Sequence, residues 1–409
     1  MRFLAISVVL RFALAAQIPL QPTPNDDGMR LISTSAHEES VPQWMDSEAV
    51  NALLRHRTHF VDTTDGDWAA LMDESRLAPP KIYPPPKHLE NSDIVEALIS
   101  RISVPTIQNW IKTFTEFHTR YYKTASGTEA AFWIKGQAEA VVNAAPNATN
   151  VNVVLTVFEH DWTQPSIIAR IQPKHWQESM SADIPIVILS AHLDSVNAKN
   201  PKNGRSPGAE DDASGCGTIF AAFQILVEAG FQVKRPIEFH WFVAPLHLSV
   251  HNDHVLILFG IHKNFRYSGE EAGLLGSQKV ALSYKKGNIQ VAGAYNADET
   301  GFTPPGLPRK IGISKDFVNP PLQAFVRTLV AEYGGGDFKI VDESCGYACS
   351  DHASWTRAGY AAAYLFDTPM KDAPEFVHSE LDAFENIDFE HLVRFVRIAL
   401  GFAVELSLA

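Results

Sequence analysis

Imidazoles and carboxylates recur in this sequence at spacings that suit a divalent cation: His192 with Asp194, the run Glu210-Asp211-Asp212, the pair Glu270-Glu271, and Asp298. Zinc takes imidazole nitrogen and carboxylate oxygen at about 2.0 to 2.2 Å, so these are the residue types a zinc site needs. In His192-Leu193-Asp194 one ring nitrogen can bind metal while the carboxylate orients the other; the same spacing also suits a strand-end histidine capped by a turn aspartate. The three adjacent acids at 210–212 repel one another unless a cation neutralises them, and a solvated helix cap is the competing reading. In Gly269-Glu270-Glu271-Ala272-Gly273 the neighbouring glutamates point in different directions. One can therefore bind metal while the other acts as a base on the water that metal activates; a plain acidic helix start is the alternative.

What must position these groups shows in the periodicity. Beyond about residue 80, apolar bursts of strand length alternate with longer helical patterns. This predicts an α/β domain with a mixed, mostly parallel central sheet flanked by helices. Strands are expected at Ile186 to Ala191, Ile237 to Trp241, Val291 to Asn296 and Ala361 to Phe366. Helices are expected at Gly217 to Ala229, Leu274 to Tyr284, Leu322 to Tyr333 and Phe389 to Ser407. His192 and Asp298 stand just after two of these strands, and Glu270-Glu271 follow a third beyond an interruption. Open α/β sheets bind ligands at the carboxyl ends of their strands.

Composition narrows the partners. The chain has 409 residues and a formal charge of -13; an acidic surface repels phosphate backbones, so nucleic acid is excluded as a partner class. Arg2, the apolar run Phe3 to Leu14 and the small residues Ala13, Ala15 and Ala16 form a secretory leader pattern over residues 1–16. No later stretch reaches the roughly 18 to 20 apolar residues that span a bilayer. The expectation is a secreted, extracellular, soluble monomer with no membrane partner. Residues 17–80 are polar, with short helical patterns near Ser47 to Arg55 and Trp68 to Met72 and too little apolar surface for a separate core. Pro79 to Pro86 closes this stretch, which reads as a removable prosegment or as a mobile arm. Cys345 and Cys349 lie close enough on one helical turn to be oxidised, Cys216 reads as a buried small apolar residue, and Asn147-Ala148-Thr149 is a glycan acceptor pattern.

Taken in order, His192 to Ser195, Pro207 to Gly215, Gly269 to Ser277, Asp298 to Phe302, Cys345 to His352 and His378-Ser379 resemble the motifs of the co-catalytic dizinc aminopeptidases, most nearly the fungal extracellular leucyl aminopeptidases. The likeness runs from about Lys81 to Ala409 and includes Phe117-His118-Thr119-Arg120-Tyr121-Tyr122. It implies a zinc-dependent exopeptidase fold and two zinc ions bridged by Asp211. His192 and Asp298 would complete the ligands of one ion, Glu271 and His378 those of the other. It implies Glu270 as general base, Asp194 as the residue that orients His192, Tyr347 as donor to the tetrahedral oxyanion, and a Cys345–Cys349 disulfide in the pocket wall. The reaction implied is hydrolysis of the first peptide bond of peptides with a free N-terminus, with leucine or other apolar residues preferred. Paired dications lower the pKa of a shared water, and Glu270 accepts its proton. A related glutaminyl cyclase and an inactive binding protein on the same scaffold are the alternatives.

One departure interrupts the likeness. Between Trp241 and Tyr267, where the family runs straight through, stand the 25 residues Phe242 to Arg266. Their His247, His251, His254 and His262 are set aside as a metal box, because five better donors lie elsewhere and zinc needs about four. Trp241-Phe242-Val243 must be encoded TGG-TTY-GTN, which contains GT-TY-GT like a fungal splice donor, and with Arg266 encoded as AGG in-frame excision restores Trp241 directly before Tyr267. The segment is therefore expected to be a translated intron or a gene-model error.

Overall fold

The computed structural model describes residues 28–34, 41–56, 58, 60–65, 67–71, 78–145, 151–160, 162–242 and 270–409. The leader pattern, Asn147 and the four histidines of the interruption lie outside the described residues.

Near the N-terminus, β1 (Arg30–Ser33), β2 (Gln43–Met45) and β3 (Val61–Asp62) form an antiparallel sheet in the order β2-β1-β3, with helix α1 (Ser47–Arg55) and the short α2 (Asp67–Ala70). Its apolar cluster of Ile32, Val50, Leu54 and Phe60 is completed by Val196 and Ala198 of the main body. Burial therefore holds this segment against its host.

Helices α3 (Ser92–Ile99), α4 (Val104–Phe114) and α5 (Ala125–Ala144) precede the large sheet. Its strands are β4 (Asn152–Phe158), β5 (Ser166–Gln172), β6 (Ile186–His192), β7 (Ile237–Phe242), β8 (Val291–Ala297), β9 (Lys310–Ser314), β10 (Lys339–Glu343) and β11 (Ala362–Phe366), in the order β10-β9-β11-β8-β6-β7-β5-β4. Neighbours β11, β8, β6 and β7 run parallel. The pairings β9–β11, β7–β5 and β5–β4 are antiparallel. This is the mixed, mostly parallel sheet that the periodicity predicts. The crossovers carry α6 (Gly215–Ala229), α7 (Leu275–Lys286), α8 (Pro320–Tyr333) and α9 (His352–Arg357), and α10 (Phe389–Leu408) closes the chain.

Strand β6, Ile-Val-Ile-Leu-Ser-Ala-His, is buried along its whole length because helices cover both faces. Val187, Leu189 and Ala191 join the cluster built with α6, α8 and α10, while Ile186 and Ile188 join the one built with α7 and α9. That split follows the period of two in a strand held between two helical layers. Each fully buried Leu, Ile or Phe in these layers contributes about 1.5 to 3 kcal/mol. Helix α6 ends at Gly230, whose φ of 67° is the left-handed stop expected of glycine there. Helix α7 begins one residue later than expected, since Leu274 is itself left-handed at φ 60°. Among the described residues, no helix is long and apolar enough to cross a membrane.

Candidate metal centre

Because β6, β7, β8 and β11 are parallel, their carboxyl ends open on one edge of the sheet. His192 is the last residue of β6, Asp298 follows β8, Glu270 and Glu271 form a short 3-10 turn before α7, and His378 lies beyond β11. Asp211 comes from the loop that enters α6. Nε2 of His192 is 3.0 Å from Oδ1 of Asp211 and 3.4 Å from Oδ1 of Asp298. Nε2 of His378 is 3.0 Å from Oδ2 of Asp211 and 3.0 Å from Oε2 of Glu271. The two oxygens of Asp211 thus face two different donor sets, and the structure brings all five expected ligand side chains together.

The donors suit a metal. Three carboxylates and two imidazoles withdrawn from water cost several kcal/mol per ion unless they are compensated, and Oε1 of Glu271 is buried without a hydrogen-bond partner among the described residues. Asp211, Glu271 and His378 offer donor atoms within 4.8 Å of one another, as do His192, Asp212 and Asp298. Asp212 competes with Asp211 for the second group. Its Oδ1 accepts the amides of Gly215 at 2.7 Å and Glu299 at 3.3 Å, and its Oδ2 accepts that of His192 at 3.2 Å. Both its oxygens thus accept backbone amides, and Asp212 braces the loops that carry His192 and Glu299. Gly215 follows from the same crowding, since a Cβ there would collide with the Ala297 carbonyl and the Asp212 carboxylate.

Further braces surround the donors. Oδ1 of Asp194 stands 3.6 Å from Nδ1 of His192 and accepts the amide of Glu270 at 3.2 Å. Ser350 donates to Oδ2 of Asp298 and accepts from Asn296 at 2.7 Å. The Asp382 carboxylate accepts the amides of Glu210 at 2.9 Å and Asp211 at 3.1 Å, which fixes the backbone that presents Asp211. From sequence, Asp212 is named only within the acidic run, and no role is given to Asp212, Ser350 or Asp382. The first two lie inside recognisable motifs; Asp382 carries no local signal at all.

The electrostatics show how strongly these groups feel one another. Burial pulls both imidazoles down, yet Asp298 beside His192 and Glu271 beside His378, with Asp211 bonded to each, hold the rings well above the usual histidine range. Burial, reinforced by Asp211 and opposed by His378, pushes Glu271 up to about 7. Glu270 is driven well above the glutamate range by burial, against the pull of His192 and with help from Asp298. A bound dication reverses this balance, because it stabilises carboxylates and displaces protons from imidazoles.

A cavity of about 230 Å³ opens beside the donors. Glu270 and Tyr347 line it with His192, Asp211, Asp298 and His378, and its far wall is Tyr364, Phe366, Met370, Ala373 and Val377. Cys345 and Cys349, also in the wall, are disulfide-bonded with Cα atoms 6.2 Å apart, whereas Cys216 is free and buried. Where a smaller cavity meets Glu270, Glu271 and His378, its other side is Leu54, Thr58 and Phe60 of the N-terminal segment. That segment is held by the buried Arg30–Asp62 ion pair at 2.5 Å, by Arg30 on the Ala272 carbonyl, and by the Asp62 amide on the Gly273 carbonyl at 3.1 Å. Gly273, at φ 106°, leaves no room for a Cβ against Asp62.

A family model described as peptidase family M28 matches residues 167–244 and 265–403, so the match lapses within the interruption. The probable leucine aminopeptidase 1 of Trichophyton verrucosum is 31% identical over 99% of this chain and 98% of its own length. Leucine aminopeptidase 1 of Neurospora crassa is 32% identical over 92% of this chain and 87% of its own. Among solved structures, the LapA aminopeptidase of Legionella pneumophila has the same fold, with a TM-score of 0.72 at 23% identity over 93% of this chain and 94% of that one.

Proposed function

The chain belongs to peptidase family M28 and is an aminopeptidase-class hydrolase, and from that premise we propose that it is secreted, binds two zinc ions and releases leucine or other apolar N-terminal residues. The observation that carries this reading is the Asp211 carboxylate, with one oxygen 3.0 Å from His192 and the other 3.0 Å from His378. Asp211, His192 and Asp298 would hold one ion, and Asp211, Glu271 and His378 the other. When bound, the pair supplies Lewis-acid polarisation and a water acidic enough to ionise near neutral pH.

The protein's own groups do the rest. Glu270 lines the cavity and belongs to neither donor set, so its carboxylate accepts the proton of the attacking water and returns it to the departing amine. Asp194 holds the backbone of Glu270 and orients His192. Tyr347 presents its hydroxyl to the carbonyl oxygen on which negative charge develops. The acidic inner end of the cavity attracts the free α-ammonium, which confines cleavage to the first residue, and the apolar wall receives that residue's side chain.

Residues 17–80 act as a prosegment in this scheme; in support, Leu54, Thr58 and Phe60 cover one side of the approach to Glu270, Glu271 and His378. Residues 242–266 are a translated intron or a gene-model error, a reading supported by the lapse of the family match at 245–264. Assaying leucine p-nitroanilide before chelation, after it, and after zinc is restored tests the function. Chelator-sensitive aniline release is expected. Cyclisation of an N-terminal glutaminyl peptide without aniline release would mark a cyclase, and metal binding with neither product an inactive scaffold.

A further inference from the structure

The motif Phe117 to Tyr122 has no part in the chemistry above, yet it plants a guanidinium beside the metal centre. Arg120 is fully buried. Its Nε donates to the Leu193 carbonyl at 2.8 Å, one terminal nitrogen to the Pro207 carbonyl, and the other to the Gly208 carbonyl at 2.9 Å. The Arg120 amide donates to Oγ of Ser195 at 3.1 Å, and that hydroxyl donates onward to the Ser206 carbonyl at 2.8 Å. The ring of Phe114 covers the guanidinium at 4.3 Å.

These acceptors belong to two loops. Leu193 separates His192 from Asp194, whereas Pro207 and Gly208 begin the turn that delivers Asp211. One side chain therefore staples the loop that carries one donor and its orienting carboxylate to the loop that carries the shared donor. The turn is closed tightly on the staple: Gly208 sits at φ 52°, and a Cβ there would approach the guanidinium to 2.8 Å and the Ser195 side chain to 2.6 Å. A planar fork of fixed donors suits carbonyls on two strands of chain, and lysine, a point charge, cannot reproduce it.

We propose that Arg120 is a positioning residue that sets His192 and Asp211 relative to each other, and thereby the zinc affinity, by tying the Leu193 carbonyl to those of Pro207 and Gly208. The proposal rests on His192 and Asp211 being metal ligands. Groups that orient ligands from outside typically cost 10- to 100-fold in metal affinity when removed, so roughly that loss is expected for Arg120→Met, with Arg120→Lys in between.

The experiment measures zinc affinity of the metal-free proteins by chelator competition, and melting temperature with and without zinc. Weaker binding shrinks the zinc-dependent rise in melting temperature by linkage. A role in core packing alone lowers the metal-free melting temperature and leaves both the zinc increment and the zinc affinity unchanged, and that result overturns the proposal. Should the Arg120 variants fail to fold, Ser195→Ala loosens the same connection while keeping the guanidinium; a severalfold loss of zinc affinity supports the proposal and an unchanged affinity refutes it. Wild-type protein that takes up no zinc overturns the metal centre itself, and this role with it.

Discussion

Replacing the adjacent glutamates one at a time by glutamine separates two roles that the sequence places side by side. Oε2 of Glu271 is 3.0 Å from His378, within a donor set completed by Asp211. Glutamine keeps the shape but removes an anionic oxygen, leaving two strong protein donors where zinc wants about four ligands in all. Loss of outer support alone costs about 10- to 100-fold in affinity, so losing an inner donor in Glu271→Gln should weaken zinc by more than about 100-fold. Glu270 lines the cavity outside both sets, and its amide bond to Asp194 survives substitution of the side chain. Positioned proton transfer is worth about 10² to 10⁴ in rate, or roughly 3 to 5 kcal/mol of barrier. Glu270→Gln should therefore lose that factor in kcat, with KM within a few-fold and zinc content unchanged. Steady-state turnover of leucine p-nitroanilide, paired with metal analysis of the same samples, reads both. Glu270→Gln that loses zinc, or that turns over at nearly the wild-type rate, refutes the division of labour.

Three other outcomes follow from the structure. Excising residues 242–266 puts Tyr267 where Phe242 now pairs with His192 at the end of β7, exchanging one buried aromatic for another; a folded, active product is expected, and an unfolded or inert one shows the segment to be integral. Glu238 is buried, yet Arg170 at 2.5 Å together with His240 and Tyr284 outweighs burial and holds its carboxyl at about 2 instead of 4.5. A depressed folded pKa contributes stability that is complete above the unfolded value and is lost as pH falls through the folded one, so the gap between wild type and Glu238→Gln in urea should narrow by roughly 2 kcal/mol between about pH 6 and about pH 3; a constant gap contradicts this. Asp62→Asn strands a buried Arg30 at a cost of about 3 to 5 kcal/mol and should speed proteolytic release of residues 28–71, whereas an unchanged cleavage rate counts against docking through this ion pair.

The legible parts of the fold are those whose signal is local. Central strands such as β6 and β8 are mostly apolar and buried along their whole length because helices cover both faces, and His192 and Asp298 stand at their ends. Helix α6 announces its stop with Gly230. The edge of the sheet is less visible: β4 alternates exposed and half-buried positions, and its antiparallel pairing with β5 depends on contacts that no short window contains. Helix α5, rich in alanine, spreads its few large apolar residues too thinly to define a face. The same limit applies at the metal centre. His192, Asp211 and Glu271 stand in motifs whose spacing suggests their chemistry, but His378 was reached only through the family likeness, and Asp382 acts on Asp211 across a long stretch of chain.

The interruption between β7 and Glu270 begins and ends at two points pinned to the same loop. The Phe242 carbonyl, at the end of the strand, accepts the Leu193 amide at 3.3 Å. The Glu270 amide, at the start of the 3-10 turn, donates to the Asp194 carboxylate at 3.2 Å. Leu193 and Asp194 are consecutive, so the chain leaves and re-enters at one point on one loop. The entropy of closing such a loop grows only with the logarithm of its length, about 0.6 kcal/mol per doubling. Lengthening the connection is therefore cheap as long as its two ends stay pinned; excision keeps the Glu270 pin and requires Tyr267 to take over that of Phe242. The Glu270 amide is held by the His192-Leu193-Asp194 loop, which Arg120 ties to the turn carrying Asp211. Geometry at the metal centre should accordingly respond more to the loss of a single hydrogen-bonding side chain on that loop than to the presence or absence of the 25 residues at 242–266.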